Sequence, residues 1–535
     1  MSENADHRVG FVSFPDADSA RYRARGYWRG EPLGDILRRA AHRWPQRPAV
    51  LADDTTTYAQ LDAAADRMAS GMIRMGIAAG DRVVVQLPNV PEFAVVFFGL
   101  LRAAAIPVLC LPAHREREIG HLAALSGAVG YVVADRAGGY DYRELARTVR
   151  TVAPSVQHVL VHGDAGEFTP LASVPADPRE LPTVDPADVA VLLISGGTTG
   201  VPKLIARTHD DYAYNARASA EVCGLTGDDV YLVALPAAHN FPLACPGILG
   251  TFGVGGAVTF LADPSPESAF AAIERHHATV TAVVPPLAQL WCAATEWESA
   301  DPGSLRLLQV GGAKLAENAA RDVRPRLGAA LQQVFGMAEG LLNYTRLDDP
   351  DDLVAISQGK PLSDLDEVRI VDDAGHDVPA GAEGELLTRG PYTIRGYYRA
   401  AEHNARAFTA DGFYRSGDLV RRLPSGHLVV TGRIKDVINR GGESVSAGEL
   451  EEHLLAHPAV VQVAVVGLPD DNLGERVCAA MVVDDTMPTL AQIKDFLTGR
   501  GLAPFKHPDL LRGVEHLPVT AVGKIDKRAV AADIG

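Results

Sequence analysis

Val189-Ala-Val-Leu-Leu-Ile-Ser-Gly-Gly-Thr-Thr-Gly-Val-Pro-Lys203 joins six apolar residues to a loop rich in glycine and hydroxyls. The short apolar run, bounded by a turn signal, reads as a buried strand. The loop reads as a phosphate cradle. Gly196, Gly197 and Gly200 let backbone N–H groups approach an anion, Ser195, Thr198 and Thr199 add neutral donors, and Lys203 adds a cation. It is not a Walker A loop: no Gly-Lys-Ser/Thr occurs, and Pro202 precedes the lysine.

Outward from this loop the same strand type recurs. Arg82 to Leu87 is an apolar strand, Pro91 to Ala104 a helix and Ile106 to Leu111 a second strand. That rhythm predicts a right-handed parallel α/β sheet. Further strands are expected at 49–52, 130–134, 158–161, 280–284 and 305–310, and helices at 32–44 and from Thr57, where Thr57-Tyr-Ala-Gln60 has the form of a capping box. From Val230 to Ala262 the chain has no Asp, Glu, Lys or Arg, but three prolines and a cluster of glycines break it too often for a membrane helix. It is expected to be buried strand and loop around a pocket.

After about residue 365 the style changes to short alternating strands with Gly turns, the mark of a small β-rich subdomain. After Gly432 it changes again, with a helix at 447–457, strands at 460–467 and 478–483, a helix at 490–498 and a Gly/Pro-rich tail carrying Lys506, Lys524 and Lys527. The fold expected is α/β. A large N-terminal core (1–432) has parallel α/β subdomains and a β-rich subdomain at about 366–432. A hinge follows at 433–436, then a small mobile α+β domain at 437–535.

The 535 residues carry 50 Lys+Arg against 67 Asp+Glu, a net charge of −17, with 47% hydrophobic and 22% charged residues. This is a well-cored globular composition, not a disordered one. The negative charge disfavours nucleic acid and anionic membranes as partners. Cysteines at 110, 223, 245, 292 and 478 are odd in number and form no C-x-x-C pair, and the first residues lack the apolar run of a signal peptide, so a reducing cytoplasmic location is expected.

Ser195-Gly-Gly-Thr-Thr-Gly-Val-Pro-Lys203 resembles the signature loop of the adenylate-forming superfamily: acyl-CoA synthetases, luciferases and the adenylation domains of nonribosomal peptide synthetases. Four more motifs follow in the order seen there: Phe335-Gly-Met-Ala-Glu339, Tyr414-Arg-Ser-Gly-Asp418, Gly432-Arg-Ile-Lys-Asp-Val-Ile-Asn-Arg-Gly-Gly-Glu443 and Pro518-Val-Thr-Ala-Val-Gly-Lys524. The resemblance spans nearly the whole chain. It implies activation of a carboxylic acid by ATP and Mg²⁺, with negative charge crowding the transition state and a cation needed there. Lys524 is the implied cation, and Glu339 the implied Mg²⁺ ligand. Asp418 can accept from the ribose hydroxyls, and Arg433 can donate to the same sugar or to phosphate, the alternative being a structural ion pair. Gly312, Val334, Phe335, Gly336, Met337 and Lys435 complete the implied nucleotide contacts. Tyr344 is either an adenine wall or core packing. Lys435 marks the hinge about which the small domain turns, placing either Lys524 or the Arg440–Glu443 loop at the reaction centre.

Pro236-Ala-Ala-His-Asn-Phe-Pro-Leu-Ala-Cys-Pro-Gly247 resembles the A-H-N-Y/F-P-L segment of stand-alone aryl-acid–AMP ligases of siderophore assembly. His239 is carried over as a catalytic residue. Asn240 stands where amino-acid adenylation domains have an aspartate. A neutral amide can bond an ortho hydroxyl but pairs poorly with an ammonium. Phe241, Cys245, Gly311, Gly312, Ala338 and Leu342 are the implied pocket wall, with Val334 also against it. In 2,3-dihydroxybenzoate enzymes the positions of Cys245 and Leu342 typically hold serine and valine. The softer, larger pair here favours salicylate, with an aryl carrier protein on another chain as acyl acceptor, because no carrier attachment motif is visible. The alternatives are 2,3-dihydroxybenzoate activation, an aryl-CoA ligase and a dead nucleotide-binding scaffold. The last disagrees with the retention of Lys524 and Glu339.

Overall fold

The computed structural model describes residues 9–195, 202–440, 443–470, 473–500, 502–520 and 523–535. Among these, two large sheets form the N-terminal part. The seven-stranded sheet runs Leu204–Thr208, Val189–Ile194, Ile106–Leu109, Arg82–Gln86, Gly130–Ala134, His158–His162, Thr169–Pro170 and is parallel except for Leu204–Thr208, which returns antiparallel after the glycine loop. The nine-stranded sheet is parallel across Ala330–Met337, Leu307–Gly311, Val280–Val283, Val230–Val233, Ala257–Phe260 and Pro48–Leu51, with antiparallel pairs at its edges.

Alternation along the strands sets the layers. Val83 and Val85 face the central core, while Val84 faces the outer helices Glu116–Ser126 and Tyr142–Val152. Leu307 likewise faces the centre, while Leu308 and Val310 face the outer helices Pro266–His276, Pro285–Ala294 and Glu317–Leu327. Successive strand side chains point to opposite faces, so apolar runs of this kind need cover on both sides. The central layer holds Tyr58–Arg74, Glu92–Arg102, His209–Val222 and Gly247–Val254. The expected capping box is present: the Thr57 side chain accepts from the Gln60 N–H, and the Gln60 side chain accepts from the Thr57 N–H.

Glu367–Val371, Glu383–Arg389, Tyr414–Arg422 and Leu428–Arg433 form a four-stranded antiparallel sheet. A five-stranded sheet follows: Glu443–Ser446, Val437–Arg440, Gly474–Val483, Val460–Asp470 and the added Leu510–Gly513. Between the two sheets lies one 3₁₀ turn, Ile434–Asp436.

Two expectations need correction. The stretch from Val230 to Ala262 is not only strand and loop: Asn240–Ala244 and Gly247–Val254 are helical. Glycine costs a helix about 1 kcal/mol, but here it permits close packing. A Cβ on Gly250 would lie 2.6 Å from Pro246 Cβ, 3.1 Å from the Ala216 carbonyl oxygen and 3.3 Å from Ala220 Cβ. The C-terminal tail is also structured. Leu510–Gly513 pairs parallel with Gly474–Val483, and helix Lys527–Ile534 is capped by Asp526, which accepts from the Arg528 and Ala529 N–H groups. Lys506 and Lys527 pair with Glu449 and Glu451, each at 2.7 Å.

Candidate active site

The glycine loop is pinned at its mouth. The Ser195 N–H donates to the Lys203 carbonyl at 2.9 Å, the Lys203 N–H donates to Ser195 Oγ at 3.1 Å, and Ile194 pairs with Leu204. Gly196, Gly197, Thr198, Thr199 and Gly200 lie outside the described residues. Lys203 reaches back so that Nζ stands 5.8 Å from the centre of the Tyr397 ring.

Tyr397 ties three motifs together. Its hydroxyl donates to Glu339 Oε1 at 2.6 Å and lies 2.9 Å from the Tyr414 hydroxyl. Since its proton goes to the carboxylate, Tyr414 donates to it. Glu339 is buried in the hairpin between Ala330–Met337 and Gly340–Tyr344, and its carbonyl accepts from the Ile394 N–H at 2.8 Å. Tyr397 was not identified from sequence; its only signal was an aromatic pair after a glycine, Gly396-Tyr-Tyr398. Phe335, Gly336 and Met337 form the end of the strand leading to Glu339, with Val334 buried before them.

Antiparallel register places Asp418 opposite Arg433, and Arg433 Nε donates to Asp418 Oδ1 at 2.6 Å. The ion pair weighed in the sequence is therefore present. It engages one oxygen of a buried carboxylate, while the arginine side chain is a little under half exposed. Lys435 follows in the 3₁₀ turn.

Lys524 enters this group from the C-terminal sheet's side. A Cβ on Gly312, which has φ +86°, would lie 3.0 Å from Lys524 Cε and 3.4 Å from Val284 Cγ1. Glycine is thus required at 312 for conformation and for the lysine's path. Burial pushes the Lys524 ammonium down to about 8, with Arg433 and Lys435 acting in the same direction and Asp418 and Glu339 opposing. His239 is held near 3, first by burial and then by the Lys524 cation. Its Nδ1 accepts from the Phe241 N–H at 3.2 Å, so the neutral ring carries its proton on Nε2. The structure therefore brings together Lys524, His239, Glu339, Gly312, Asp418, Arg433 and Lys435 from across the chain. Lys314 and Glu452 span the same junction at 2.7 Å.

Below lies a drier region. His239 caps the short helix that starts at Asn240. The Asn240 carboxamide accepts from the Tyr212 hydroxyl at 2.8 Å and donates to Cys245 Sγ at 3.4 Å. Burial pushes the Cys245 thiol up to about 12, so it is neutral. A Cβ on Gly311 would lie 2.9 Å from the Phe241 ring, and one on Gly336 would lie 2.3 Å from Leu342 Cδ2. Tyr344 is fully buried with its hydroxyl on Ser219 Oγ at 3.0 Å, so of its two readings the structure gives core packing.

The helix His209–Val222 supports this region with a polar stripe that was not read from the sequence. Asp211 pairs with Arg207 at 2.7 Å, both without exposed side-chain surface, and Arg207 also donates to the Ala338 carbonyl at 3.0 Å. Asn215 donates to the Ala244 carbonyl at 2.7 Å. Ser219 meets Tyr344, and Cys223 meets Gln309 and Gln332. The available signal was a spacing of four, 211-215-219-223, which puts these groups on one helix face, with Arg207 one step earlier at the end of the preceding strand.

The described residues of the five motifs, dispersed over more than 300 residues, come together around Glu339 and Lys524. Residues 37–398 match the AMP-binding enzyme family, and residues 449–524 match its C-terminal domain. The chain belongs to the AMP-binding enzyme family. It is 56% identical to the salicyl-AMP ligase / salicyl-S-ArCP synthetase of Mycobacterium tuberculosis, over 98% of this chain and 95% of that protein. It is 52% identical to the 2,3-dihydroxybenzoate-AMP ligase of Bacillus subtilis, over 97% of each. Among solved structures, apo MbtA of Mycobacterium smegmatis is 57% identical, with a TM-score of 0.77, covering 98% of this chain and 99% of that one. Among the described residues of this family member, no helix is long and apolar enough to cross a membrane.

Proposed function

We propose that this enzyme activates salicylate with ATP, forming salicyl-AMP and pyrophosphate, and passes the salicyl group to the phosphopantetheine thiol of an aryl carrier protein on another chain. In the first step a carboxylate oxygen attacks the α-phosphorus, the α–β phosphoanhydride bond breaks, and pyrophosphate leaves with the bonding electron pair. In the second the thiol loses its proton, the sulfur attacks the acyl carbon, and AMP leaves.

The residues divide along these steps. Lys524 neutralises charge at the carboxylate and α-phosphate. The loop from Ser195 to Lys203, including Gly196, Gly197, Thr198, Thr199 and Gly200, holds phosphate. Asp418 keeps one free oxygen for the ribose, while Arg433 holds the other. Gly312, Val334, Phe335, Gly336 and Met337 line the nucleotide. Glu339 fits Mg²⁺ as a single carboxylate beside phosphate oxygens, the set this cation prefers; no group of three or more metal-ligating side chains occurs among the described residues. The cation would shield the phosphate charge. His239, neutral, offers Nε2–H near the reacting carboxylate. Residues 1–432 act as the core and 437–535 as the moving domain, turning at 433–436 with Lys435.

The observation that carries salicylate is the state of Cys245. Its thiol donates to the Asn240 carbonyl oxygen at 3.4 Å while its sulfur accepts from Asn240 Nδ2. A substrate 3-hydroxyl brought there would lose its water and find a weak, already engaged partner. Asn240, Phe241, Gly311, Ala338 and Leu342 supply the rest of the wall. ATP–pyrophosphate exchange with salicylate, 2,3-dihydroxybenzoate and benzoate tests the reading, followed by thioester formation with CoA and with holo carrier protein. Salicylate should lead and the carrier should outcompete CoA. A lead for 2,3-dihydroxybenzoate would reassign the substrate, and a lead for CoA would reassign the acceptor.

A further inference from the structure

Tyr212 has no exposed surface, and Asn240 Oδ1 is its hydroxyl's one hydrogen-bond partner among the described residues. This bond fixes which way the Asn240 amide faces. If the amide turned over, its N–H would meet the phenol, which would have to accept, leaving the phenol proton in the core with no acceptor. A buried donor so orphaned is costly. The other end of the amide agrees. Cys245 gives its S–H to the Asn240 backbone carbonyl, so the lone pairs of sulfur match Nδ2 and not Oδ1. The Arg207 guanidinium, 4.7 Å from the centre of the Tyr212 ring, draws on the phenol and makes it a better donor. One N–H of Asn240 then reaches the sulfur, and the second remains for a ligand.

We propose that Tyr212 is a positioning residue for substrate selection. By fixing the Asn240 amide, it sets the pocket to accept a hydroxyl ortho to the carboxylate and to refuse an ortho amino group. This rests on the reading above that Asn240 meets the ortho substituent of a bound aryl acid. In salicylate the hydroxyl gives its proton to the carboxylate and turns a lone pair outward, where the Asn240 N–H donates. In 2-aminobenzoate the nitrogen lone pair is drawn into the ring and the outward group is a second N–H, so two donors face each other. Only a turned amide could accept it, and Tyr212 holds the amide against turning.

The test is kcat/KM in pyrophosphate exchange for salicylate, 2-aminobenzoate and benzoate, measured on the full chain as wild type, Tyr212→Phe, Asn240→Ala and the double variant. Ratios taken within one preparation cancel any loss of folded enzyme. Tyr212→Phe should lower the salicylate to 2-aminobenzoate ratio by about fivefold or more, and should leave that ratio unchanged when added to Asn240→Ala. An unchanged ratio in the Tyr212→Phe single variant overturns the proposal, as does an equal shift in both backgrounds, which would mean Tyr212 acts on pocket shape. A wild type that does not prefer salicylate to benzoate overturns instead the reading on which the proposal rests.

Discussion

The floor around Asn240 and the junction around Lys524 are built by opposite means. At the floor, buried Arg207 bonds Asp211 and Asn215 at 2.7 and 3.5 Å, and buried Tyr212 bonds Asn240 at 2.8 Å, all drawn from the N-terminal sheets and their shared helix layer. Buried polar groups that hold one another in place are rigid, and here they leave one Asn240 N–H for a ligand. At the junction three cations, Lys524, Arg433 and Lys435, crowd two carboxylates, and Arg433 and Lys435 add to the burial that depresses Lys524. That grouping is held by docking of the C-terminal part, with such contacts as Lys314–Glu452 and the Ser446 hydroxyl on the Thr431 carbonyl at 3.2 Å. On the function proposed above, the floor would choose the acid and keep its shape, while the junction would assemble and release charge on each turnover.

The largest expected effect breaks the junction and spares the floor. Lys524→Ala should slow adenylate formation by on the order of 10²–10³-fold, while thioester formation from supplied salicyl-adenylate persists. Equal loss in both half-reactions would sink the division between them. Next comes the floor: Cys245→Ser exchanges a weak S–H for a good hydroxyl at nearly the same volume, and should recover part of a penalty of about 1–3 kcal/mol on the 3-hydroxyl. The kcat/KM ratio of 2,3-dihydroxybenzoate to salicylate should rise. An unchanged ratio would put the 3-position elsewhere, against Leu342 or Gly312.

A third test separates the regions by pH. The Lys524 pKa is lowered, so the ammonium is present below about 8 and lost as pH rises through that value. Its docked pKa lies below that of a free lysine, so rising pH favours docking of the neutral side chain while removing the charge that acts. kcat/KM for ATP should therefore fall above pH 8, by about tenfold at pH 9. Lys524→Arg, charged throughout, should lack this limb, and a persisting limb would assign it to another group. The salicylate preference, set on the neutral floor, should stay flat over the same range. The smallest effect concerns the half-exposed Lys314–Glu452 pair: Glu452→Ala should shift the adenylation rate by less than about 1 kcal/mol, and less at high salt. A larger change would make this contact part of the docking switch.

Much was legible in the chain because it is local. Short continuous apolar runs mark Arg82–Gln86 and Val189–Ile194, the Thr57 box marks a helix start, and the ordered motifs name the chemistry, since each is a contiguous string whose glycines, hydroxyls and charges must be neighbours to act. What the strings leave open is decided by packing between distant segments. Helix Gly247–Val254 lies close against His209–Val222 because Gly250 has no side chain to hold them apart, a benefit no propensity scale records. Arg433 meets Asp418 through strand register, Lys524 reaches Gly312 through docking of parts some 200 residues apart in sequence, and Tyr212 meets Asn240 because two helices share a buried face. Local sequence thus determined the elements and the class of reaction. Tertiary structure alone decided which donor faces which acceptor, because the direction of a buried hydrogen bond depends on every partner being satisfied at once.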